Sequence, residues 1–215
     1  NMKKEYDLAI AHFLHSITLM KKATGQQDYA LARLNLGEVY GKTQRYSKAI
    51  IELNRATKTD PSMFLAHYNL GTAYMLTKSY NKAELSFKAC LKLKPNHEPA
   101  LYNLARVYQN KKKWINSNEV FKKFIKIKGP NPSVYLQIAW NNLMAGNMGE
   151  ANTLYEKVLS YEPNHIAALI NLGKINYRLG KYKISQSYIK RALKQDLSQT
   201  QSDDLNKLLK KLSTY

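Results

Sequence analysis

The sequence predicts an all-α fold, an α-solenoid of tandem helix-turn-helix units, from a 34-residue internal period, paired amphipathic stripes within each period, and prolines at the period boundaries. Gly37, Gly71, Ala105, Ala139 and Gly173 stand one period apart, and each follows an aliphatic residue: Leu36, Leu70, Leu104, Ile138 and Leu172. Tyr46, Tyr80, Trp114, Met148 and Tyr182 form a second column. Ala49, Ala83, Ser117, Ala151 and Ser185 form a third, all small, and Leu53, Phe87, Phe121, Tyr155 and Ile189 a fourth, all large. Pro61, Pro95 and Pro163 recur near the boundaries.

Residues 30–63 give the clearest unit. Leu31, Leu34, Val39 and Tyr40 supply an apolar stripe for a first helix, and Tyr46, Ala49, Ile50, Leu53 and Ala56 have the i, i+3, i+4, i+7 spacing of a second. Gly37 and Ala49 are expected on facing surfaces, where their small size lets the backbones approach while Leu53 and Tyr40 fill the flanks. Asp60-Pro61 should stop the second helix, because a proline disfavours helical geometry in the residue before it and fits the first turn of the next helix. One such pair leaves an apolar flank uncovered, so the units must stack.

The ends depart from the period, as terminal units do. Tyr6, Ala9, Phe13 and Ser16 mimic the second-helix spacing, so residues 3–22 read as the second helix of a truncated unit, joined irregularly through Ala23 to Asp28. At the other end, Ser202-Asp203-Asp204 reads as a helix start. Leu205, Leu208, Leu209 and Leu212 then form one stripe opposite Lys207, Lys210 and Lys211, the pattern of a capping helix.

The runs LNLGEVY (Leu34 to Tyr40), YNLGTAY (Tyr68 to Tyr74) and YNLARVY (Tyr102 to Tyr108) resemble the tetratricopeptide repeat signature, and the likeness covers residues 30–199. It divides the chain into an N-terminal helix at 1–29, five units at 30–63, 64–97, 98–131, 132–165 and 166–199, and a capping helix at 200–215. The resemblance implies a right-handed superhelix with the first helix of every unit on a concave wall that takes peptide ligands. Asn142 and Asn176 replace the tyrosine of the first three units, and Phe124 enters a column otherwise held by Ala56, Cys90, Val158 and Ala192. The boundary Gly129-Pro130-Asn131-Pro132 is expected to bend or loosen the array.

The resemblance turns the first-helix columns into site candidates. Asn35, Asn69, Asn103, Gln137 and Asn171 place an amide in every unit, able to satisfy an extended peptide backbone or, equally, to bridge neighbouring helices. Beside them stand Leu34, Tyr68, Tyr102, Leu136 and Ile170, and one turn onward Glu38, Thr72, Arg106, Trp140 and Lys174. Some family members grip a terminal carboxylate with lysine and asparagine in the first unit. Leu34 and Glu38 occupy those places here, so that clamp is not expected.

The formal charge of +19 must find a place. The third and fifth units are the most basic and the fourth alone is net acidic, with most of the excess in turns and second helices, among them Lys122, Lys123 and Lys126. That puts it on a solvated outer face, with docking to an acidic protein or anionic surface as the sharper alternative. Nucleic acid is disfavoured, because the concave columns lack a full set of stacking and base-reading residues. The lone Cys90 excludes an internal disulfide framework, and the five histidines are scattered. No phosphate loop, zinc motif or nucleophile elbow is present, so no cofactor, metal or catalysis is expected.

No apolar run spans a bilayer, and Asn1 ahead of Met2 suggests a cloning remnant or a piece of a longer chain. Composition leaves the compartment open, with the cytoplasm favoured over the periplasm, and is compatible with a homo-oligomer. The sequence thus predicts a non-catalytic adaptor that binds a peptide or protein segment. The alternatives are the substrate-recruiting arm of a larger enzyme, similar to the repeat arm of O-linked N-acetylglucosamine transferases, and a basic docking module.

Overall fold

The computed structural model describes residues 2–20 and 26–213, and among these it contains twelve α-helices and no strand. They are α1 (Met2–Met20), α2 (Gln26–Lys42), α3 (Tyr46–Thr59), α4 (Phe64–Leu76), α5 (Tyr80–Leu93) and α6 (Glu98–Asn110), followed by α7 (Trp114–Lys128), α8 (Pro132–Met144), α9 (Met148–Tyr161), α10 (Ile166–Arg178), α11 (Tyr182–Leu193) and α12 (Gln199–Leu212). The chain forms two compact units, residues 1–127 and 128–215, which divide at the last residue of α7, just ahead of Gly129-Pro130.

In the first unit, α2/α3, α4/α5 and α6/α7 are hairpins, and α1 packs on α2. Ile10 of α1 is buried in a cluster with Leu34, Leu36, Tyr40 and Leu53, against which Phe13 and Ile17 also pack. In the second unit, α8/α9 and α10/α11 are hairpins and α12 closes on α11. The same logic holds each hairpin together. The large column of Leu53, Phe87, Phe121, Tyr155 and Ile189 is at most 1% exposed, and the small column of Ala49, Ala83, Ser117, Ala151 and Ser185 is fully buried. Ser117 and Ser185 earn their place among alanines by donating Oγ–H to the carbonyls of Ala105 and Gly173, at 3.0 and 2.7 Å, so neither hydroxyl is buried unpaired.

The contact at the centre of a hairpin differs from the expected one. Leu53 lies directly over Gly37, rather than flanking it, and Phe87 and Ile189 lie over Gly71 and Gly173 in the same way. Glycine is needed there because the partner side chain occupies the space of a Cβ.

Two further columns become visible only in the structure. Gln44, Lys78 and Lys112 have φ of 59°, 58° and 56°, and Gly146 and Gly180 have φ of 84° and 72°. These five residues are one period apart and turn each first helix into its second through a left-handed residue. The start of the first helices forms the other column. His97 Nδ1, Asn131 Oδ1 and His165 Nδ1 accept from the backbone N–H three residues on, at 3.2, 3.0 and 3.3 Å. Two of the scattered histidines are therefore helix caps.

Several local expectations need correction. Leu31 is 48% exposed, and Ala30 and Ala32 are buried instead. Pro61, Pro95 and Pro163 lie in turns ahead of the next helix, and the prolines within a first turn are Pro99 and Pro132. Helix α12 begins at Gln199, not near Ser202, because Ser198 and Gln201 form a reciprocal capping box. Of the irregular stretch Ala23 to Asp28, residues 23–25 lie outside the described residues, and Gln26 already belongs to α2.

Candidate functional site

The first helices of the first two periods, α2 and α4, part to leave a groove of about 460 Å³. Its floor is Gly37, Ala49, Leu53 and Ala73, and its walls carry Glu38 and Gly41 from α2 and Leu65, Tyr68, Asn69, Thr72 and Leu76 from α4. Gly37 and Gly41 are four residues apart on one face of α2, so two successive turns present no side chain there. A Cβ on Gly41 would meet nothing within 4 Å. Leu65 and Leu76 are 44% and 50% exposed, which leaves apolar surface at the lip for a guest to cover.

The polar groups of this groove divide into engaged and open ones. Lys42 Nζ donates to Glu38 Oε1 at 2.7 Å, and that hydrogen bond holds the ammonium above the usual lysine range. Thr72 Oγ1 donates to the Tyr68 carbonyl of its own helix. The half-buried Asn69 amide makes no side-chain hydrogen bond among the described residues. Asn35 and Asn103 share that condition, whereas Asn171 donates to the Ala167 carbonyl of its own helix at 2.9 Å and Gln137 is engaged.

Tyr68 is half-buried, one edge against His97 at 4.8 Å between centroids and another against Phe87 at 6.1 Å. Burial, with Lys94 adding to it, pushes the His97 imidazole below its usual range, which favours the neutral ring that caps α6. Tyr102 is likewise half-buried, against Phe121 and Phe124 at 5.6 and 5.9 Å. Arg106 is exposed on α6 of the same unit. Trp140 and Lys174 are exposed on α8 and α10 of the second unit. Leu34 is not a groove residue. At 4% exposure it belongs to the core that joins α1 to α2.

Lys122, Lys123 and Lys126 are exposed on α7, on the second-helix side, and none forms an ion pair among the described residues. Lys111 differs: it donates to Glu84 Oε2 at 2.6 Å, and Lys88 donates to Oε1 of the same carboxylate at 2.7 Å. Burial would raise the Glu84 carboxyl, but those hydrogen bonds and the two charges outweigh it and hold it at about 2. No group of three His, Cys, Asp or Glu placed to hold a metal occurs among the described residues. No described helix is long and apolar enough to cross a membrane.

Gly41, Leu65 and Leu76 escaped the sequence reading. The glycine pair four residues apart in α2 was the available signal, since it predicts a trough wherever that face meets another helix.

Models of the tetratricopeptide repeat match residues 30–63, 64–97 and 142–209. The fold resembles that of YrrB, described as a TPR protein with an unusual peptide-binding site, at TM-score 0.76 and 16% identity over 91% of this chain and 97% of that one. It also resembles MamA from Desulfovibrio magneticus RS-1, at TM-score 0.70 and 18% identity over 79% and 96%. PilF of Pseudomonas aeruginosa matches at TM-score 0.66 and 18% identity over 89% and 87%. No functionally curated protein matches the chain in sequence.

Proposed function

Because the chain belongs to the tetratricopeptide repeat family, we propose that it is a non-catalytic interaction scaffold that takes a peptide or protein segment in the first-helix groove between α2 and α4. One observation carries the reading: a trough with an apolar floor, exposed leucines at its lip and an uncommitted amide, Asn69, on its wall. An amide without an internal partner can both donate to and accept from a passing backbone, while Leu65 and Leu76 cover a guest's apolar side chain. Asn35 and Asn103, equally uncommitted, extend the same chemistry along the first unit. The peptide-binding site described for YrrB supports the reading at the level of fold.

The groove favours a segment with an apolar anchor over one held by its terminal carboxylate, since its one acid, Glu38, is already paired with its one lysine, Lys42. The test compares proteins retained by the wild-type chain with those retained by a variant carrying Asn69→Ala, Leu76→Arg and Asn103→Ala. A photo-crosslinker at Leu65 maps the contact. The expected outcome is loss of a defined partner and of its crosslink, with helicity and melting unchanged. Retention of the same partner by the variant overturns the reading.

A further inference from the structure

A second groove lies on the opposite side of the hairpins, between the second helices α5 and α7, with α6 as its floor. It comprises a hollow of about 690 Å³ and a neighbouring one of about 330 Å³, which share Leu91, Leu104, Val120 and Lys123 and so form one trough. Along α7 the lining runs from Asn116 to Ile127, roughly 16 Å at the helical rise. All of it belongs to the first compact unit.

The trough is apolar within and basic at its rims. Half-buried Leu91, together with Ile127 at 39% exposed, lines it above a floor of Leu101, Leu104 and Val120, which are themselves 4%, 4% and 9% exposed. Lys92, Lys123 and Lys126 stand along the edges, all exposed and none in an ion pair among the described residues. Lys88 also lines it but is held by Glu84. One acid, Glu119, lines it as well, so lysine outnumbers carboxylate throughout.

The repeat offers internal controls. One period earlier, Leu91, Val120 and Lys123 correspond to Thr57, Ser86 and Ala89, so that position is neither as apolar nor as basic. Two periods later, in the second unit, Val120 and Lys123 correspond to Tyr188 and Arg191. There Arg191 donates to the Pro163 carbonyl at 2.7 Å, and Tyr188 reaches Glu156 at 3.3 Å, so side chains bridge the equivalent place. Of the three positions compared among the described residues, α5/α7 alone combines an apolar trough with uncommitted lysines.

We infer that this trough docks an acidic amphipathic helix whose leucine-like side chains fill the space over Leu91, Leu104 and Val120 while its carboxylates meet Lys92, Lys123 and Lys126. Charge complementarity selects the occupant: a purely apolar helix would leave three lysines beside it, and a basic one would be repelled. A trough of this length accepts about three helical turns, with anchors at i, i+3 or i+4, and i+7. The site is separate from the α2/α4 groove, and neither requires the other.

The test is fluorescence anisotropy with a labelled peptide of about 15 residues, leucines at i, i+4, i+7 and glutamates between them. Its controls are a scrambled peptide of equal charge and a lysine-for-glutamate version. The full chain with K123E and K126E is expected to bind at least about tenfold more weakly, with unchanged circular dichroism and melting. I127D, at the exposed lip, gives a second loss, K181E with K183E in the second unit gives none, and N69A with L76R gives none. Equal binding of the scrambled peptide, or no effect of K123E/K126E, overturns the inference. So does failure of the peptide while vesicles of phosphatidylcholine and phosphatidylserine, three to one, bind in a Lys123-dependent way, which would assign the face to lipid.

Discussion

A Cβ built on Gly71 would lie 2.8 Å from both Cδ1 and Cε1 of Phe87, closer than side chains approach one another. Gly71→Ala is therefore expected to destabilise the chain by about 1–3 kcal/mol, against the usual helical gain of alanine over glycine. Gly149, in α9, has nothing within 4 Å of the same position, and Gly149→Ala should stabilise by about 0.5–1 kcal/mol. Urea unfolding of the two variants checks the contrast, and a loss of stability in both would contradict it.

The left-handed column makes an opposite-signed pair. Lys78→Gly and Lys112→Gly relieve a conformation that side chains adopt at a penalty, and each should stabilise by roughly 0.5–1 kcal/mol after the extra freedom of glycine in the unfolded chain is subtracted. Gly146→Ala and Gly180→Ala should destabilise by roughly 1 kcal/mol. Thermal melts of the four variants would expose any departure in sign.

Tyr155 is fully buried, and its hydroxyl has no hydrogen-bond partner among the described residues. Burial pushes the phenol up to about 12. The other members of its column carry no hydroxyl. Tyr155→Phe should leave the packing intact and raise stability by up to about 1 kcal/mol. A destabilised Tyr155→Phe variant would mean that the hydroxyl is satisfied in solution.

Glu84 sets an acid-sensitive step. Its folded carboxyl titrates at about 2, below the ordinary value of 4.5, so the stabilisation is complete above that ordinary value and is lost as the pH falls toward 2. Discounted for its partial exposure, the contribution is on the order of 1–2 kcal/mol. Glu84→Gln should be less stable than the wild type at neutral pH, and the two should converge in acid. Parallel curves across that window would exclude the linkage.

The period, the helix count inside each unit and the core columns were legible because each repeats one chemistry. Leu53, Phe87, Phe121, Tyr155 and Ile189 are all large, and their neighbours in the small column are all compact. The turn column was not legible because Gln44, Lys78, Lys112, Gly146 and Gly180 share a backbone angle and no side-chain property. The histidine caps were hidden for a similar reason, since His97, Asn131 and His165 look unrelated until their acceptor atoms are placed. Leu34 misled because its column lines a face that α1 covers in the first period alone. The α12 start at Ser198 was readable from Ser-x-x-Gln, and the acidic pair at Asp203-Asp204 drew attention from it.

The Leu53–Gly37 and Phe87–Gly71 contacts each close within a single period, so the instructions for folding a hairpin travel together in one short stretch of chain. A lineage can therefore lengthen or trim such an array by copying or excising whole modules, without inventing new partners for the amino acids left behind. Local variation, as at the α5/α7 trough, then arises by editing one copy while its siblings keep the original pattern.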